Sequence, residues 1–503
     1  MDVTSSGLLI KSIRGHGSRR AVLADGRAYS YADLDAASDG LAGHLRALGL
    51  GRGARVALHL RNGVEYPIAE LAILKLAAVR VPLNELMGRE ELAYCLRHAA
   101  ADVLISHADL PTPQAEPGEV LARHRISVPA AGTVRPGETP WDAAVSAKPL
   151  DGIVVAAADD TAVIQYTGGT TGHPKGAHHT YGRIGVCLLA HVVCGDIRSD
   201  EVMLLTTPLP HSAGFHMAAC FLQGGYVVLE ERFDAARFAE ICEQHSVTWT
   251  FAVPTMLYRL LDQLEEGGGR RLSLRTVVYG AAPMSRPRLE EALAKLGPVF
   301  VQIYGQTECP NFITTLTKHD HLDPALLTSC GRPVPFVDLR VRRDDEGPVG
   351  EVEVRSPYLL TEYYGNAEAT AAALSDGWLK TGDLGYLRDG YLFLVDRAKD
   401  MIITGGMNVY SSEVESALRQ HEAVREVAVI GMPDADWGEA VTAVIVPAAD
   451  TSPASLRAFA KTRLSAYKVP KTVVLVEELP LTTYGKIDKK RLRQALADAA
   501  TAS

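Results

Sequence analysis

The chain has 503 residues, of which 47% are hydrophobic and 22% are charged, values ordinary for a soluble globular protein. Because single hydrophobic cores stop growing at about 250–300 residues, this length predicts two or more domains. The net charge of -9 at pH 7 argues against nucleic acid as the main partner, since a phosphate backbone selects basic surfaces.

Neither the first residues nor the most apolar stretch predicts export or membrane insertion. Residues 1–7 lack the basic start and the long apolar run of a signal peptide. The most apolar helix-like stretch, residues 68–83, contains Glu70, Lys75 and Arg80, so we expect a packed core helix there and not a membrane span. Seven scattered cysteines without a C-x-x-C pair are typical of reduced thiols. Together these features predict a cytoplasmic protein that does not bind membranes.

Strand-like and helix-like runs alternate from the start of the chain. Residues 27–31 predict a strand before a helix over 32–48, and residues 55–60 predict a strand before a helix over 64–77. Such alternation indicates parallel strands joined by crossover helices. The segment 107–150 is rich in Pro, Gly and Ala, and we expect it to be irregular.

The alternation resumes over residues 161–310 and then changes character. Short apolar runs predict further strands near 226–229, 248–252, 276–279 and 299–304. From residue 331 onward, closely spaced strands separated by turns predict an antiparallel or barrel-like piece. The predicted class is therefore α/β, with a large N-terminal domain of doubly wound α/β subdomains plus a barrel-like β piece.

A compact α+β pattern follows the charged run at residues 396–400. Helices are predicted over 413–420, with Ser411 and Ser412 as cap candidates, and over 455–464. Strands are predicted over 424–430, 441–446 and 473–476. We therefore divide the chain into a large domain over 1–396 and a small α+β domain over 400–503.

Residues 166–177, with the sequence Tyr-Thr-Gly-Gly-Thr-Thr-Gly-His-Pro-Lys-Gly-Ala, are the most informative segment. Glycines let backbone N–H groups close on an anion, and hydroxyls with a lysine ammonium add donors and charge. The segment predicts a loop that binds nucleotide phosphates through Thr167, Gly168, Gly169, Thr170, Thr171, Gly172 and Lys175. It is not a Walker loop, because Gly176 follows the lysine and Pro174 opposes a helix start.

Four further segments follow in the order found in the adenylate-forming superfamily, which the chain resembles. They are Tyr-Gly-Ala-Ala-Pro at 279–283, Tyr-Gly-Gln-Thr-Glu at 304–308, Trp-Leu-Lys-Thr-Gly-Asp-Leu-Gly at 378–385 and Pro-Leu-Thr-Thr-Tyr-Gly-Lys-Ile-Asp at 480–488. That superfamily includes acyl- and aryl-CoA synthetases, peptide-synthetase adenylation domains and luciferases. The resemblance covers most of the chain and implies an enzyme that activates an acid with ATP and Mg²⁺.

The resemblance also assigns roles to individual residues. It implies that Tyr304 stacks on adenine, that Thr307 binds phosphate, and that Glu308 is the Mg²⁺ ligand, a hard oxygen donor for a hard cation. Lys486 would reach the substrate carboxylate and the α-phosphate. Further nucleotide-binding residues implied by the resemblance are Gly280, Ala281 and Ala282 beside adenine, and Asp383 with Arg397 at the ribose.

A moving C-terminal domain follows from the same resemblance. Residues 397–399 would form a hinge with Lys399 as its pivot, and the small domain would be a mobile lid. Gly405 and Gly406 would line a tunnel for the pantetheine arm of CoA. Met407 departs from the Glu or Lys that is frequent in relatives, which weakens the prediction of a CoA-dependent step.

The pattern is closest to aryl-CoA ligases of the halobenzoate type. By this resemblance the acid site is bordered by His211, Ala281, Ile303, Gly305, Pro310 and Asn311. We therefore expect a compact aromatic or short acyl acid. The histidine pairs 178/179 and 211/216 lack a third ligand and do not predict a metal site.

Three functional hypotheses remain open at this point. The first is an acid–CoA ligase that releases AMP. The second is an adenylate-forming enzyme with another second step, either loading of a carrier protein or activation of nitrite for diazotisation of an aryl amine. The third is a non-catalytic nucleotide-binding or scaffold protein, against which Glu308, Asp383 and Lys486 argue. A homodimer is compatible with each of them.

Overall fold

The computed structural model describes residues 3–167, 174–266, 272–343, 347–434, 436–482 and 487–501. Residue contacts divide the chain into two units. Among the described residues, the larger unit comprises 3–167, 174–266, 272–338 and 354–379, and the smaller unit comprises 339–343, 347–353, 380–434, 436–482 and 487–501.

In chain order the helices are α1 (Ser5–His16), α2 (Tyr31–Ala47), α3 (Glu65–Lys75), α4 (Arg89–Ala99), α5 (Trp141–Val145), α6 (Tyr181–Cys194), α7 (Gly214–Gln223), α8 (Ala235–His245), α9 (Pro254–Glu266), α10 (Arg286–Leu296), α11 (Ala367–Ala373), α12 (Ser411–Leu418), α13 (Pro453–Lys461) and α14 (Lys489–Thr501). The helices predicted over 32–48, 64–77, 413–420 and 455–464 correspond to α2, α3, α12 and α13. Helix α2 begins with a capping box, because the backbone N–H of Asp33 donates to the Ser30 hydroxyl and the Asp33 carboxylate accepts from the Ser30 N–H.

The strands are also numbered in chain order. The first sixteen are β1 (Arg20–Ala24), β2 (Arg27–Ser30), β3 (Arg55–His59), β4 (Val79–Leu83), β5 (Val103–His107), β6 (His124–Val128), β7 (Thr139–Pro140), β8 (Thr161–Thr167), β9 (Lys175–Thr180), β10 (Val202–Leu205), β11 (Tyr226–Leu229), β12 (Trp249–Ala252), β13 (Thr276–Gly280), β14 (Phe300–Gln306), β15 (Cys309–Leu316) and β16 (Arg332–Pro333). The others are β17 (Asp338–Arg342), β18 (Gly350–Arg355), β19 (Glu362–Tyr363), β20 (Leu374–Ser375), β21 (Trp378–Arg388), β22 (Tyr391–Arg397), β23 (Ile402–Thr404), β24 (Met407–Val409), β25 (Val424–Asp434), β26 (Gly438–Pro447) and β27 (Thr472–Leu475).

Two sheets form the framework of the larger unit. One has the strand order β19-β9-β8-β4-β3-β5-β6-β7, and the other has the order β16-β15-β14-β13-β12-β10-β11-β1-β2. Their central strands run parallel, whereas β8–β9, β14–β15 and β1–β2 are antiparallel pairs. Strands β4 and β12 are buried at every position, as expected for parallel strands covered on both faces.

Two further sheets contain the strands beyond residue 337, apart from β19. Strands β17-β18-β21-β20 lie in that order with β22 beside β21, and β24-β23-β26-β25 lie in that order with β27 beside β26. The described pairs β20–β21 and β21–β22 are antiparallel, so the antiparallel piece predicted after residue 331 is confirmed. In the last sheet the described pairs β23–β24, β23–β26 and β25–β26 are antiparallel, and β27 runs parallel to β26.

Two expectations about where helices and strands lie were wrong. The apolar stretch 68–83 is not one helix, because α3 ends at Lys75 and β4 begins at Val79. The segment 107–150 is not irregular throughout, since β6 extends the parallel sheet and α5 follows β7. The Pro and Gly residues of this segment belong mainly to the connections, and the overall composition therefore gave no indication of β6, a strand of ordinary length. Among the described residues, no helix combines the length and apolarity needed to cross a membrane.

Candidate active site

Strands β8 and β9 hold the two ends of the predicted phosphate loop. Thr167 is the last residue of β8 and Lys175 is the first of β9, and the two are paired across an antiparallel ladder. The predicted residues between them lie outside the described part of the chain, namely Gly168, Gly169, Thr170, Thr171 and Gly172. The hairpin therefore fixes where the chain leaves the sheet and where it returns.

Lys175, Tyr363 and Glu308 lie together in the larger unit. The Nζ atom of Lys175 lies 5.0 Å from the centroid of the Tyr363 ring, and the Tyr363 hydroxyl donates to Oε1 of Glu308 at 2.6 Å. Tyr363 reaches both residues because β19 pairs with β9, where Tyr363 lies opposite Ala177. Burial, reinforced by the Glu308 carboxylate, raises the pKa of Tyr363, so its hydroxyl keeps the proton that it donates.

Tyr363 was not among the residues predicted from the sequence. It lies in a strand of two residues, and neither its neighbours nor its spacing resemble a binding motif. Only the pairing of β19 with β9 brings it between the lysine of one motif and the glutamate of another. These two motif residues are more than a hundred positions apart in the sequence.

Backbone carbonyl groups of the turn that follows β14 accept hydrogen bonds from neighbouring segments. Nε2 of His179 lies 2.9 Å from the carbonyl oxygen of Thr307, and the Leu360 N–H donates to the carbonyl oxygen of Glu308 at 2.7 Å. Burial lowers the pKa of His179 to about 4, so its ring is neutral near pH 7. Because a carbonyl oxygen can only accept, Nε2 carries the hydrogen and donates. Thr307 and Glu308 are therefore presented from a fixed backbone.

The small residues predicted to lie beside adenine follow the buried strand β13. A Cβ atom on Gly280 would lie 2.5 Å from the carbonyl oxygen of Ile303, so the close approach of β13 to β14 requires glycine. Ala281 has a φ of 66°, and Ala281 and Ala282 are exposed. Tyr304 lies in β14 and is 9% exposed.

Gly305 and Asn311 approach each other across the β14–β15 hairpin. The strand register shifts here, and a Cβ atom on Gly305 would lie 2.6 Å from the carbonyl carbon of Asn311. Asn311 has a φ of 62°, and the carbonyl oxygen of the preceding Pro310 lies 3.9 Å from Sγ of Cys187. The hairpin therefore brings together three of the residues predicted to border the acid site.

A chain of polar contacts leads inward from the predicted acid site. The Ser212 hydroxyl donates to Oδ1 of Asn311 at 2.6 Å, and Nδ2 of Asn311 lies 2.8 Å from Nε2 of His191. Next to Ser212, Nε2 of His211 lies 2.9 Å from Nδ2 of Asn84. His191 is fully buried on α6 and was missed from the sequence, because a lone histidine in an apolar helix carries no motif.

The smaller unit contains the predicted ribose pair. Nε of Arg397 lies 3.2 Å from Oδ1 of Asp383, and the two residues are register partners in β21 and β22. Asp383 is 5% exposed, so it belongs to a buried strand position. Burial, followed by the positive charge of Arg397, lowers the pKa of the neighbouring Lys399.

Gly405 and Gly406 form the turn between β23 and β24. Their φ values are 58° and 76°, and a Cβ atom on Gly405 would lie 2.7 Å from the ring of Trp437. Both positions therefore favour glycine. The side chain that follows, Met407, is 48% exposed. The predicted catalytic Lys486 lies outside the described residues.

The start of α12 differs from the prediction that Ser411 or Ser412 caps it. Both serines lie in the first turn of the helix, and the carboxylate of Asp396 accepts their backbone N–H groups. A carboxylate at a helix N-terminus satisfies free N–H groups and interacts favourably with the helix dipole. The capping residue therefore belongs to β22, the strand that precedes the predicted hinge. It was not predicted because Asp396 is not adjacent to α12 in the sequence.

Among the described residues, no group of three or more His, Cys, Asp or Glu side chains is placed to hold a metal ion. Glu308 nevertheless suits Mg²⁺, because this ion commonly binds one or two carboxylates together with substrate phosphates. The second oxygen of the carboxylate is not used by Tyr363, whose hydroxyl contacts Oε1. The donor set thus fits a site completed by a nucleotide.

Two family models match the chain in sequence. The model for AMP-binding enzymes matches residues 9–364, and the model for the C-terminal domain of these enzymes matches residues 413–486. The chain belongs to the AMP-binding enzymes. The predicted membership of the adenylate-forming superfamily is thereby confirmed, and so is the predicted enzyme class, an AMP-forming ligase.

Characterised relatives of this AMP-binding enzyme include several CoA ligases. It is 37% identical to a feruloyl-CoA synthase from an Amycolatopsis species over 94% of this chain and 95% of that protein. It is also 41% identical to the medium/long-chain-fatty-acid–CoA ligase FadD8 of Mycobacterium tuberculosis over 67% of this chain. That match spans only 61% of the length of FadD8.

Solved structures confirm the predicted α/β fold. The amide bond synthetase McbA from Marinactinospora thermotolerans matches with a TM-score of 0.85 and 32% identity, covering 98% of this chain and 99% of McbA. The o-succinylbenzoate CoA synthetase MenE from Bacillus subtilis, solved with its acyl-adenylate intermediate, matches with a TM-score of 0.85 and 30% identity. That match covers 97% of both chains.

Proposed function

We propose that this AMP-binding enzyme uses ATP to convert a carboxylic acid into an acyl-adenylate with release of pyrophosphate, and then transfers the acyl group to the thiol of CoA. The observation that carries the proposal is the convergence of Lys175 and Glu308 on Tyr363. Tyr363 contacts both a cation from the phosphate-loop hairpin and a carboxylate suited to Mg²⁺. A magnesium–polyphosphate complex needs this pair of charges, one for the phosphates and one for the metal.

The chemistry explains why these charges are needed. A carboxylate is a poor electrophile, and its attack on the α-phosphorus of ATP brings two anions together while charge grows on the leaving pyrophosphate. The protein must position both anions and supply donors where the charge develops. In the proposal, Lys175 and Thr307 bind phosphate oxygens and Lys486 binds the carboxylate and α-phosphate. Mg²⁺, when bound by Glu308 and the phosphates, neutralises part of their charge.

The proposal assigns the nucleoside and the acid to the remaining predicted residues. Adenine contacts Gly280, Ala281, Ala282 and Tyr304, the triphosphate contacts Thr167, Gly168, Gly169, Thr170, Thr171, Gly172 and Lys175, and the ribose contacts Asp383 and Arg397. The acid contacts His211, Ala281, Ile303, Gly305, Pro310 and Asn311. The contact of Asn311 with Ser212, next to His211, supports a shared acid site in the larger unit.

We further propose that residues 400–503 are a lid that turns about a hinge at residues 397–399, with Lys399 as the pivot. One position presents Lys486 for adenylation, and the other presents the turn at Gly405 and Gly406 to the pantetheine arm. The two positive φ values and the lack of space for a Cβ atom at Gly405 support a turn specialised for close approach.

One residue supports a second candidate. Met407 is half exposed and uncharged at a position where the resemblance leads us to expect Glu or Lys. We therefore retain an adenylate-forming enzyme with a different second step, either carrier-protein loading or nitrite activation for diazotisation of an aryl amine. A cytoplasmic location is supported by seven free cysteines, and a homodimer stays a prediction.

Acid-dependent exchange of labelled pyrophosphate into ATP tests the first half-reaction. A panel of aromatic and short acyl acids should identify one that drives exchange, and analysis of the products with CoA should yield AMP and a thioester. Glu308→Gln should lower exchange by about 100-fold, as removal of a charge-stabilising group does elsewhere. The exposed Glu368→Gln is the matched control.

The possible outcomes separate the candidates. Release of ADP and phosphate with every acid would contradict adenylation. AMP and pyrophosphate without any thioester would contradict the CoA step and favour the second candidate.

A further inference from the structure

His191 is the innermost member of the polar chain that begins at Ser212. Its Nδ1 atom lies 2.7 Å from the carbonyl oxygen of Cys187, one turn earlier in α6, and its Nε2 atom lies 2.8 Å from Nδ2 of Asn311. The ring is fully buried between Phe215 and Phe312, at centroid distances of 5.6 and 4.9 Å. It is therefore screened from solvent, and its contact with Asn311 links it to the predicted acid site.

The chemistry of these groups fixes the direction of each hydrogen bond. A carbonyl oxygen can only accept, so Nδ1 of His191 must carry a hydrogen and donate to Cys187. Burial lowers the pKa of His191 to about 4, so the ring is neutral near pH 7 and Nε2 has a lone pair. This lone pair accepts from the amide NH₂ of Asn311.

The orientation of the Asn311 amide follows directly. With its NH₂ group on His191, its Oδ1 atom faces the Ser212 hydroxyl, which donates to it at 2.6 Å. A flipped amide would set two acceptors against each other at His191 and leave Ser212 without its acceptor. Because Asn311 is buried, no water replaces the lost partners, and the flipped orientation is therefore disfavoured.

We propose that His191 is a positioning residue for recognition of the acid, because it holds the Asn311 amide in one orientation and thereby sets the hydrogen-bond direction at Ser212. This inference rests on the proposed function. The Ser212 hydroxyl donates its hydrogen to Asn311, so toward a ligand its oxygen can act only as an acceptor. Ser212 is half-buried, whereas Asn311 and His191 are buried, so Ser212 is the end of the chain nearest to solvent.

The substrate class follows from this direction. An acid that carries a hydrogen-bond donor, such as a hydroxyl or amino substituent, can pair with the Ser212 oxygen, and an unsubstituted acid cannot. A site built to pair with a substrate donor rejects an analogue that lacks it, because its own polar groups then stay unpaired. The enzyme should therefore prefer the donor-bearing member of a matched pair of acids.

His216 provides a matched control within the same aromatic cluster. It is fully buried, its ring centroid lies 5.1 Å from that of His191, and neither of its ring nitrogens has a hydrogen-bond partner in the described structure. The same substitution, His to Phe, therefore removes the acceptor for Asn311 at position 191 and no hydrogen bond at position 216.

The test measures KM for the acid and KM for ATP by pyrophosphate exchange in the full chain. His191→Phe should raise KM for the donor-bearing acid by about tenfold and reduce the preference over the unsubstituted acid, since a net hydrogen bond contributes about 1–1.5 kcal/mol. KM for ATP should not change. His191→Gln, whose amide oxygen can accept from Asn311, should restore most of the affinity, and His216→Phe should match the wild type.

Three results would overturn the inference. The first is equal KM values for the acid in His191→Phe and His216→Phe, and the second is a wild type without preference for the donor-bearing acid. The third comes from long-range ¹H–¹⁵N spectra of the wild type, with His191→Gln used for assignment. The inference requires a neutral ring with the hydrogen on Nδ1, and any other form at pH 7 contradicts it.

The spectra also decide the case in which His191→Phe does not fold. Failure of the proposed function and failure of this inference give different results. If the proposed function is wrong, the wild type shows no pyrophosphate exchange with any acid, whatever the tautomer of His191.

Discussion

The phenolic hydroxyl of Tyr363 donates a hydrogen bond of 2.6 Å to Oε1 of Glu308, while the ring of the same tyrosine lies 5.0 Å from the Lys175 ammonium. A single side chain thus contacts the cation of one motif and the carboxylate of another. The contact uses Oε1 of Glu308, the carboxylate that would hold Mg²⁺ in the proposed function.

Tyr363→Phe separates these two contacts, because it removes the hydroxyl and keeps the ring beside Lys175. We expect kcat/KM for ATP to fall by about 10- to 100-fold, since hydrogen bonds to charged groups contribute about 1.5–3 kcal/mol. The Mg²⁺ concentration for half-maximal exchange should rise. Tyr364→Phe removes the neighbouring hydroxyl, which contacts Arg55, and is the control. Equal losses in both variants would show that the Glu308 contact has no special role.

Lys486→Ala tests the prediction that the C-terminal motif serves adenylation and not thioester formation. The activation free energy of adenylation should rise by about 3 kcal/mol or more, by analogy with removal of a preorganised donor. The same variant should still convert supplied acyl-adenylate into thioester, measured by single-turnover assays. The exposed Lys490→Ala should leave both steps intact. Equal damage to both half-reactions in Lys486→Ala would contradict the model of two lid positions.

Asp396→Ala tests the cap of α12. Loss of the carboxylate that accepts from Ser411 and Ser412 should destabilise the helix by about 1 kcal/mol. Hydrogen exchange of the α12 amides, followed by mass spectrometry, should become roughly fivefold faster. The exposed Asp450→Ala serves as the control. Unchanged exchange in α12 would mean that the cap does not contribute to its stability.

His216→Phe should make the enzyme more resistant to acid. Burial lowers the pKa of His216 well below its usual 6.5, so below pH 6.5 the unfolded chain binds a proton that the folded chain excludes. The contribution of this group to the stability of the wild type is therefore present above pH 6.5 and is lost as the pH falls below that value. The variant should show a higher Tm than the wild type at pH 5 and a similar one at pH 7.5. The opposite order at pH 5 would contradict a neutral buried His216.

The local predictions succeeded where one periodic pattern occupied one segment. Helix α2 and strands β11 and β12 were expected within about two residues of their bounds, because their apolar spacing and end signals agree. The prediction of a single helix over 68–83 was wrong because α3 and β4 are both largely buried. Apolar runs of this kind carry no period that separates a helix from a strand.

The sequence by itself determined the family, the order of the five motifs and the class of chemistry, because glycines, hydroxyls and charges clustered within a few residues can be recognised without a fold. Only the tertiary structure decided which distant residues share a site. Tyr363, His179, His191 and Asp396 act through partners that strand pairing and helix packing bring to them. Their roles depend on distances in space, and no local pattern of residues encodes such distances.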